Sequence, residues 1–383
     1  MADKEGHVTN PGTWTAIGRV VAKAAVLFIM INLVFAAAKP LDSLGDLSLY
    51  NWLLEGRDRL PYGENTAESY NLSLNNLPAM MSSHKVSESK AADEFRVVII
   101  GDSGIWGWLL ENEDTLAGQI NSGDYLTNDG RRIVAYNLGY PIMALSKDLL
   151  ILDAALAYEP DLILWPVTLE SFPREKQLVP PLVQRNPEPI RSLISEFSLA
   201  LEPDDPGFAD LSFLEETIVG RRRDLADLLR LQLYGFSWNA TGVDQAFPEE
   251  ITLRRSDFEE DLSWGGLENP VQLTDDELAI DLLAAGVTLS GDVPVLIVNE
   301  PIFVSEGENS DLRYNAWYPR WAYDQYRDLM GEYAADLGWH YLDLWNGAAA
   351  QDFTDSPVHL NSNGSAELAK LILPHIMGII DDS

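Results

Sequence analysis

The residues best suited to chemistry begin at Gly101-Asp102-Ser103-Gly104, directly after the β-branched run Val97 to Ile100. A serine between two glycines at the end of a buried strand suits a tight turn that a ligand can approach closely. Ser103 is placed there either as a nucleophile or as an ordinary helix cap. A serine nucleophile needs a base, and the base needs an orienting partner. The chain has five histidines. His7 precedes an apolar segment, His84 lies in a polar stretch, His340 begins a strand and His375 falls within the last helix. That leaves His359, in the loop Asp352 to Gly364 between the last strand and the closing helix. Asp355 lies four residues before it and Asp352 seven before. A carboxylate at such a position can fix the imidazole tautomer and stabilise the imidazolium.

Acyl chemistry also needs donors aimed where negative charge develops. The backbone N–H groups of Ser103 and of Gly139, which follows the run Arg132 to Asn137, are candidates, although Gly139 also reads as a plain turn glycine. Neither a metal constellation nor a phosphate-cradling glycine loop is visible, so no metal or cofactor is expected. Trp106, Trp108, Trp317 and Trp321 could stack on sugar rings or simply pack the core.

Positioning these groups is the work of an alternating pattern. Strands are expected at Val97 to Ile100, Arg132 to Asn137, Asp161 to Trp165, Val293 to Val298 and His340 to Leu344. Helices are expected around Thr115 to Asn121, Ser146 to Tyr158 with Ser146 as cap, and Thr274 to Ala285 with a Thr274/Glu277 capping box. Two more follow at Tyr318 to Leu337 and Ser365 to Ile380. Strands alternating with helices imply an α/β fold, a three-layer, doubly wound parallel sheet. Its carboxyl edge would hold both Ser103 and the His359 loop. Residues 172–273 are too long for a loop, and are expected to form a mainly helical insertion after the third strand.

Composition narrows the setting. The 383 residues contain no cysteine, which excludes disulfides, thiolate catalysis and cysteine-ligated metals. The net charge of −34 repels nucleic acid, and Arg221-Arg222-Arg223 is the one basic run. Solubility accounts for the acidity, with a salt-adapted source as the alternative. Near the amino terminus, Ala24 to Ala38 is apolar except for Asn32 and is preceded by Arg19 and Lys23. Extended back to Ile17, it is long enough to cross a bilayer with the basic end cytoplasmic. A cleaved signal ending at Ala36-Ala37-Ala38, or a buried helix, is the rival reading. The expected organisation is a cytoplasmic tail and anchor at 1–39, a juxtamembrane connector at 40–94 and a main domain at 95–383. This makes a single-pass protein of the cell membrane with its domain extracytoplasmic.

Taken together, these motifs resemble the SGNH/GDSL hydrolase superfamily. Gly101-Asp102-Ser103 matches its first block, Asn137-Leu138-Gly139 its second, and Asp355 to His359 its last. The resemblance covers Phe95 to Ser383. It implies a flavodoxin-like fold, Ser103 as nucleophile, His359 as base, Asp355 as its partner and Gly139 as an oxyanion donor. Two departures stand out. The family's third block supplies an asparagine donor, whereas here Thr168 falls at its glycine position and Glu170 at the asparagine. An ionised Glu cannot donate, so Thr168, or Asn299 at the end of the fourth strand, would have to replace it. The acid-to-histidine spacing is four, where the family usually has three.

The resemblance implies an esterase or O-acyltransferase acting on acyl esters, with acylated envelope or extracellular glycans as a substrate class. One alternative is a catalytically decayed surface domain that binds glycan or a membrane partner. Another is a receiver-like domain centred on Asp102.

Overall fold

The computed structural model describes residues 11–382 apart from 64 and 66, so His7 and the rest of residues 1–10 lie outside the described residues. Five strands form one parallel sheet: β1 (Glu94–Ile99), β2 (Arg132–Asn137), β3 (Leu162–Val167), β4 (Val295–Asn299) and β5 (His340–Asp343). Their spatial order is β2-β1-β3-β4-β5, the flavodoxin-like order. The helices are α1 (Pro11–Ala38), α2 (Leu41–Gly45), α3 (Leu49–Leu53), α4 (Leu77–Ser83), α5 (Ser103–Trp106), α6 (Leu116–Asn121) and α7 (Leu145–Leu156). They continue with α8 (Pro181–Gln184), α9 (Pro187–Phe197), α10 (Arg222–Thr241), α11 (Ile280–Leu289), α12 (Arg320–Leu337) and α13 (Ser362–Asp382).

Alternation along β1 explains the layering. Val97 and Ile99 face one core, which α6 and α13 complete with Leu116, Ile120, Leu368, Ile372 and Ile376. Val98 faces the other, filled by Leu149 and Leu152 of α7, Leu282 and Leu283 of α11 and Tyr323 and Tyr326 of α12. β1, β3 and β4 are buried on both faces, as a parallel sheet between helical layers requires, whereas the edge strands β2 and β5 are partly exposed. The chain turns outward in opposite directions from β1, to β2 on one side and β3 on the other. That switch point lies at the carboxyl end of β1, where Ser103 follows.

Several expectations need correction. Residues 40–94, expected as a juxtamembrane connector, pack widely on the domain: Tyr50, Leu60, Leu77, Met80 and Val86 are buried, and Arg57 and Arg59 with them. Arg57 is sheltered because it donates to Asn71 Oδ1 and to the Tyr70 carbonyl. His84 is buried too; burial, opposed by its bond to the Asp58 carbonyl, pushes it down to about 4, so it is a neutral structural residue. The insertion is not mainly helical. Between Phe172 and Leu273 the α helices are α8, α9 and α10, and most of the remainder is irregular. Leu182, Ile190, Leu193 and Leu231 nevertheless seal the α7 side of the core. Ser146 does not cap α7: Ala144 precedes that helix, and the Ser146 hydroxyl donates to the Gln177 carbonyl. Thr274 and Glu277 do bond each other as a capping box would, but α11 starts at Ile280, because Leu278 and Ala279 are diverted into pairing near Pro173 and Phe172.

Candidate active site

Ser103 is the first residue of α5 and sits at the top of the turn that leaves β1. Gly101 holds φ +148°, and a Cβ there would lie 2.8 Å from Ile105 Cγ1, so glycine is the residue this turn accepts. Asp102 caps the short helix by accepting from Gly104 N–H at 2.7 Å. Beneath the turn, the fully buried Lys147 ammonium donates to the Gly101 carbonyl at 2.6 Å and to the Tyr140 carbonyl at 2.8 Å. It thereby ties the loop after β1 to the loop after β2.

Ser103 Oγ lies 2.8 Å from His359 Nε2, and His359 Nδ1 lies 2.8 Å from Asp355 Oδ1. The loop after β5 folds back on itself to make this possible. Phe353 pairs with Leu360, the Thr354 N–H donates to the His359 carbonyl at 2.9 Å, and Ser356 Oγ accepts from His359 N–H at 3.1 Å. This small hairpin accommodates the four-residue spacing from acid to histidine. Burial pushes the Asp355 carboxyl up, but its hydrogen bond to His359 and the neighbouring imidazole outweigh that and hold it below its ordinary value. Asp352, the other acid in the loop, instead accepts from Asn363 Nδ2 at 2.9 Å.

The opposite wall differs from expectation. The Gly139 N–H donates to Asn137 Oδ1 at 3.0 Å, and a Cβ at Gly139 would lie 2.5 Å from Trp106 N. Its lack of a side chain serves close packing against α5. Thr168 is fully buried and its hydroxyl donates to the Tyr318 hydroxyl at 3.1 Å. Asn299 donates to Asp343 Oδ1 at 2.8 Å, while its own oxygen accepts from Tyr323 and Tyr326. Glu170 pairs with Lys176. Each of these four groups has a partner inside the protein. The Ser103 N–H, first in its helix, has no intrahelical acceptor to occupy it.

Sequence reading missed the polar groups around the nucleophile turn. Glu300, directly after β4, is buried; burial, the nearby Asp102 charge and its hydrogen bond with Asp102 push it well above the ordinary carboxylate range. This environment favours the protonated form of Glu300, which can donate to Asp102. Burial also pushes Asp148 up, opposed by Lys147 beside it. From the insertion, Asp244 pairs with the buried Arg59, which donates to the Gly107 and Leu110 carbonyls at 2.9 and 3.0 Å. Gln245 accepts from Leu109 N–H at 2.7 Å. Ten residues on, Arg254 donates to the carbonyls of Phe353 and Ala350 in the histidine loop. Residues 244–254 therefore touch both loops that carry the Ser–His–Asp chain. The position of Glu300 at the carboxyl end of a strand was the one available signal. Of the four tryptophans, Trp106 is core, its indole donating to the Leu60 carbonyl, whereas Trp108 lies 6.1 Å ring to ring from His359. Trp317 and Trp321 pack partly buried against the core.

No family model and no curated protein matches this chain in sequence. Solved structures do match along most of their length. A carbohydrate acetylesterase family member from Sinorhizobium meliloti is 14% identical, covering 75% of this chain and 99% of that one, with a TM-score of 0.34. An aryl esterase of M. smegmatis is 11% identical, covering 74% and 98%, with a TM-score of 0.33. At such identities the chemistry of this chain rests on its own side chains.

Proposed function

We propose that this protein is a serine esterase or O-acyltransferase of the SGNH/GDSL type. The observation that carries this reading is the unbroken chain of hydrogen bonds from Ser103 through His359 to Asp355. Ser103 Oγ attacks an ester carbonyl as its proton passes to His359 Nε2, and Asp355 holds the imidazole in the required tautomer. The tetrahedral oxyanion collapses, His359 gives the proton to the departing alkoxide, and an acyl-enzyme remains. Water or a sugar hydroxyl then attacks that ester, delivers its proton to His359 and frees Ser103. Among the described residues one helix, at Thr15–Ala38, is long and apolar enough to cross a membrane. Used as an anchor, with Arg19 and Lys23 on the cytoplasmic side, it places the domain outside, where O-acylated envelope or extracellular glycans are the substrate class. The test is labelling of the purified full chain by a fluorophosphonate probe. Ser103 is expected to be modified, with Ser103→Ala abolishing the label; equal labelling of that variant would sink the proposal.

A second reading, a glycan-binding domain without turnover, is favoured by the donors of Gly139, Thr168 and Asn299 being spent internally. Labelling at Ser103 without hydrolysis of short-chain nitrophenyl or acetylated-sugar esters would favour it.

A further inference from the structure

The lower end of α1 does not stand free. Every residue from Thr15 to Ile31 is exposed, but Asn32 and Ala36 are buried and Phe35 packs against the core. The Val219 N–H donates to Asn32 Oδ1 at 3.2 Å, and Lys39 lies 3.7 Å from Glu216 and 3.9 Å from Glu188. The insertion thus climbs two turns along α1, about 9 Å from Ala38 back to Asn32. The uncovered part of the apolar span, from Ile17 to Ile31, rises only about 22 Å, less than a hydrocarbon core of about 30 Å. For the span from Ile17 to Ala38, about 33 Å, to reach across, whatever covers its last two turns must share the outer edge of the bilayer.

The covering residues suit that place. Phe213 and Leu214 are 52% and 74% exposed, and Val219 is exposed beside them. Along α10, Leu229, Leu233 and Phe236 form an outward apolar stripe at helical spacing, with the two leucines about two-thirds exposed. α10 packs on α3, where Trp52 is 68% exposed and Leu53 projects beside it. Arg222, Arg223 and Arg230 line an open concavity of about 620 Å³ at the start of α10, next to the same segment. An exposed apolar strip with guanidinium groups at its margin is the composition of an interfacial helix, which sinks about 5–10 Å into the headgroup boundary. That depth agrees with the two turns of α1 that are covered.

We infer that residues 211–236, together with Trp52 and Leu53, form a second membrane element, seated in the outer leaflet beside α1. This rests on α1 being a membrane anchor. The absence of cysteine makes the test clean, because each introduced thiol is unique. Full-length Leu214→Cys, Leu229→Cys, Met30→Cys and Leu126→Cys are labelled with an environment-sensitive fluorophore. They are then reconstituted in vesicles of phosphatidylcholine and phosphatidylglycerol containing spin-labelled lipid, after circular dichroism confirms folding. Expected is at least a twofold quenching of Leu214→Cys and Leu229→Cys by headgroup-proximal spin labels. Met30→Cys should be quenched by mid-bilayer labels, and Leu126→Cys, exposed beside β2, by neither. If Met30→Cys is quenched while the 214 and 229 labels match Leu126→Cys, the anchor stands and the second element is overturned. If those two are shielded from aqueous iodide yet unquenched by lipid, a protein partner covers the strip and the inference also fails. If all four are unquenched, both it and the anchor fall.

Discussion

On one side of the cleft Ser103, His359 and Asp355 bond to each other; on the other, Gly139, Thr168 and Asn299 bond into the protein. The first set has its reactive edge open at Ser103. Thr168 and Asn299 are buried in a polar network with Tyr318, Tyr323 and Tyr326, in which burial pushes all three phenols well above their ordinary value, and Gly139 is held by Asn137. The contrast separates two demands that acyl transfer makes. Activating a nucleophile takes side chains in a relay, which a loop can assemble. Stabilising an oxyanion takes donors left unsatisfied in the resting protein, and buried donors are normally satisfied. With the Ser103 N–H at the start of its helix as the donor beside the nucleophile, acylation and deacylation are both expected to be slow, because each passes through a tetrahedral oxyanion. Each missing donor costs about a hundred- to a thousandfold.

The comparison can be broken at several points. The largest effect belongs to Ser103→Ala or His359→Ala, each expected to lower kcat/KM on nitrophenyl acetate by about 10⁴-fold or more. Asp355→Asn keeps the shape but leaves His359 Nδ1 without a carboxylate, and a loss of about 10³–10⁴-fold in kcat is expected from the disfavoured tautomer. Retention of most activity would move the acid to another residue. Thr168→Val probes the other wall. It removes the bond to Tyr318, so thermal denaturation should show a loss of about 1 kcal/mol, while kcat changes by less than about threefold. A drop of about a hundredfold in kcat would restore Thr168 to the oxyanion site.

Glu300→Gln gives the smallest effect and is read as a pH dependence. Folded Glu300 keeps a proton that the unfolded chain releases above its ordinary value of 4.5, so its contribution to stability falls as pH rises. Asp355 has the opposite sign: its contribution is present above its ordinary value of 3.8 and is lost only as pH falls through its lower folded value. Between pH 5 and 8 the Glu300 slope operates and the Asp355 slope does not, while His84, held down at about 4, adds stability as pH rises towards its ordinary 6.5 and does so equally in wild type and variant. The stability of the wild type relative to Glu300→Gln should therefore decline across that window, by on the order of 1 kcal/mol. An unchanged difference would mean that Glu300 is ionised in the fold.

The sheet was legible because its strands announce themselves. Val97 to Ile100 admits no amphipathic alternative, and the elimination of four histidines left His359 without knowledge of any contact. What stayed hidden was polar material inside. Arg57, Arg59, Lys147, Asp148 and Glu300 are ionisable residues that a pattern of apolar and polar positions assigns to the surface, yet all five are buried. Arg57, Arg59, Lys147 and Asp148 are tolerated because carbonyls and side chains partner them, and such partners can come from distant parts of the chain. Arg59 and Asp244, 185 residues apart, are one example. The covering of α1 was unreadable for the same reason, since Asn32 looks like a flaw in an apolar run until Val219 is seen beside it.

The folding of residues 40–94 into the domain has a further consequence, which concerns reach. A leash of more than fifty free residues would let a tethered domain sweep a volume extending well over 40 Å from its fixed point. Here α1 runs through Lys39 straight into α2, and α10, about 30 Å from end to end, is fastened at its far end to the turn bearing Ser103 through Asp244 and Gln245. Anchored as proposed, the reactive serine works at one fixed height. It meets its substrates by drifting laterally in the plane of the membrane, and it selects among acyl esters first by how far above that plane they are held.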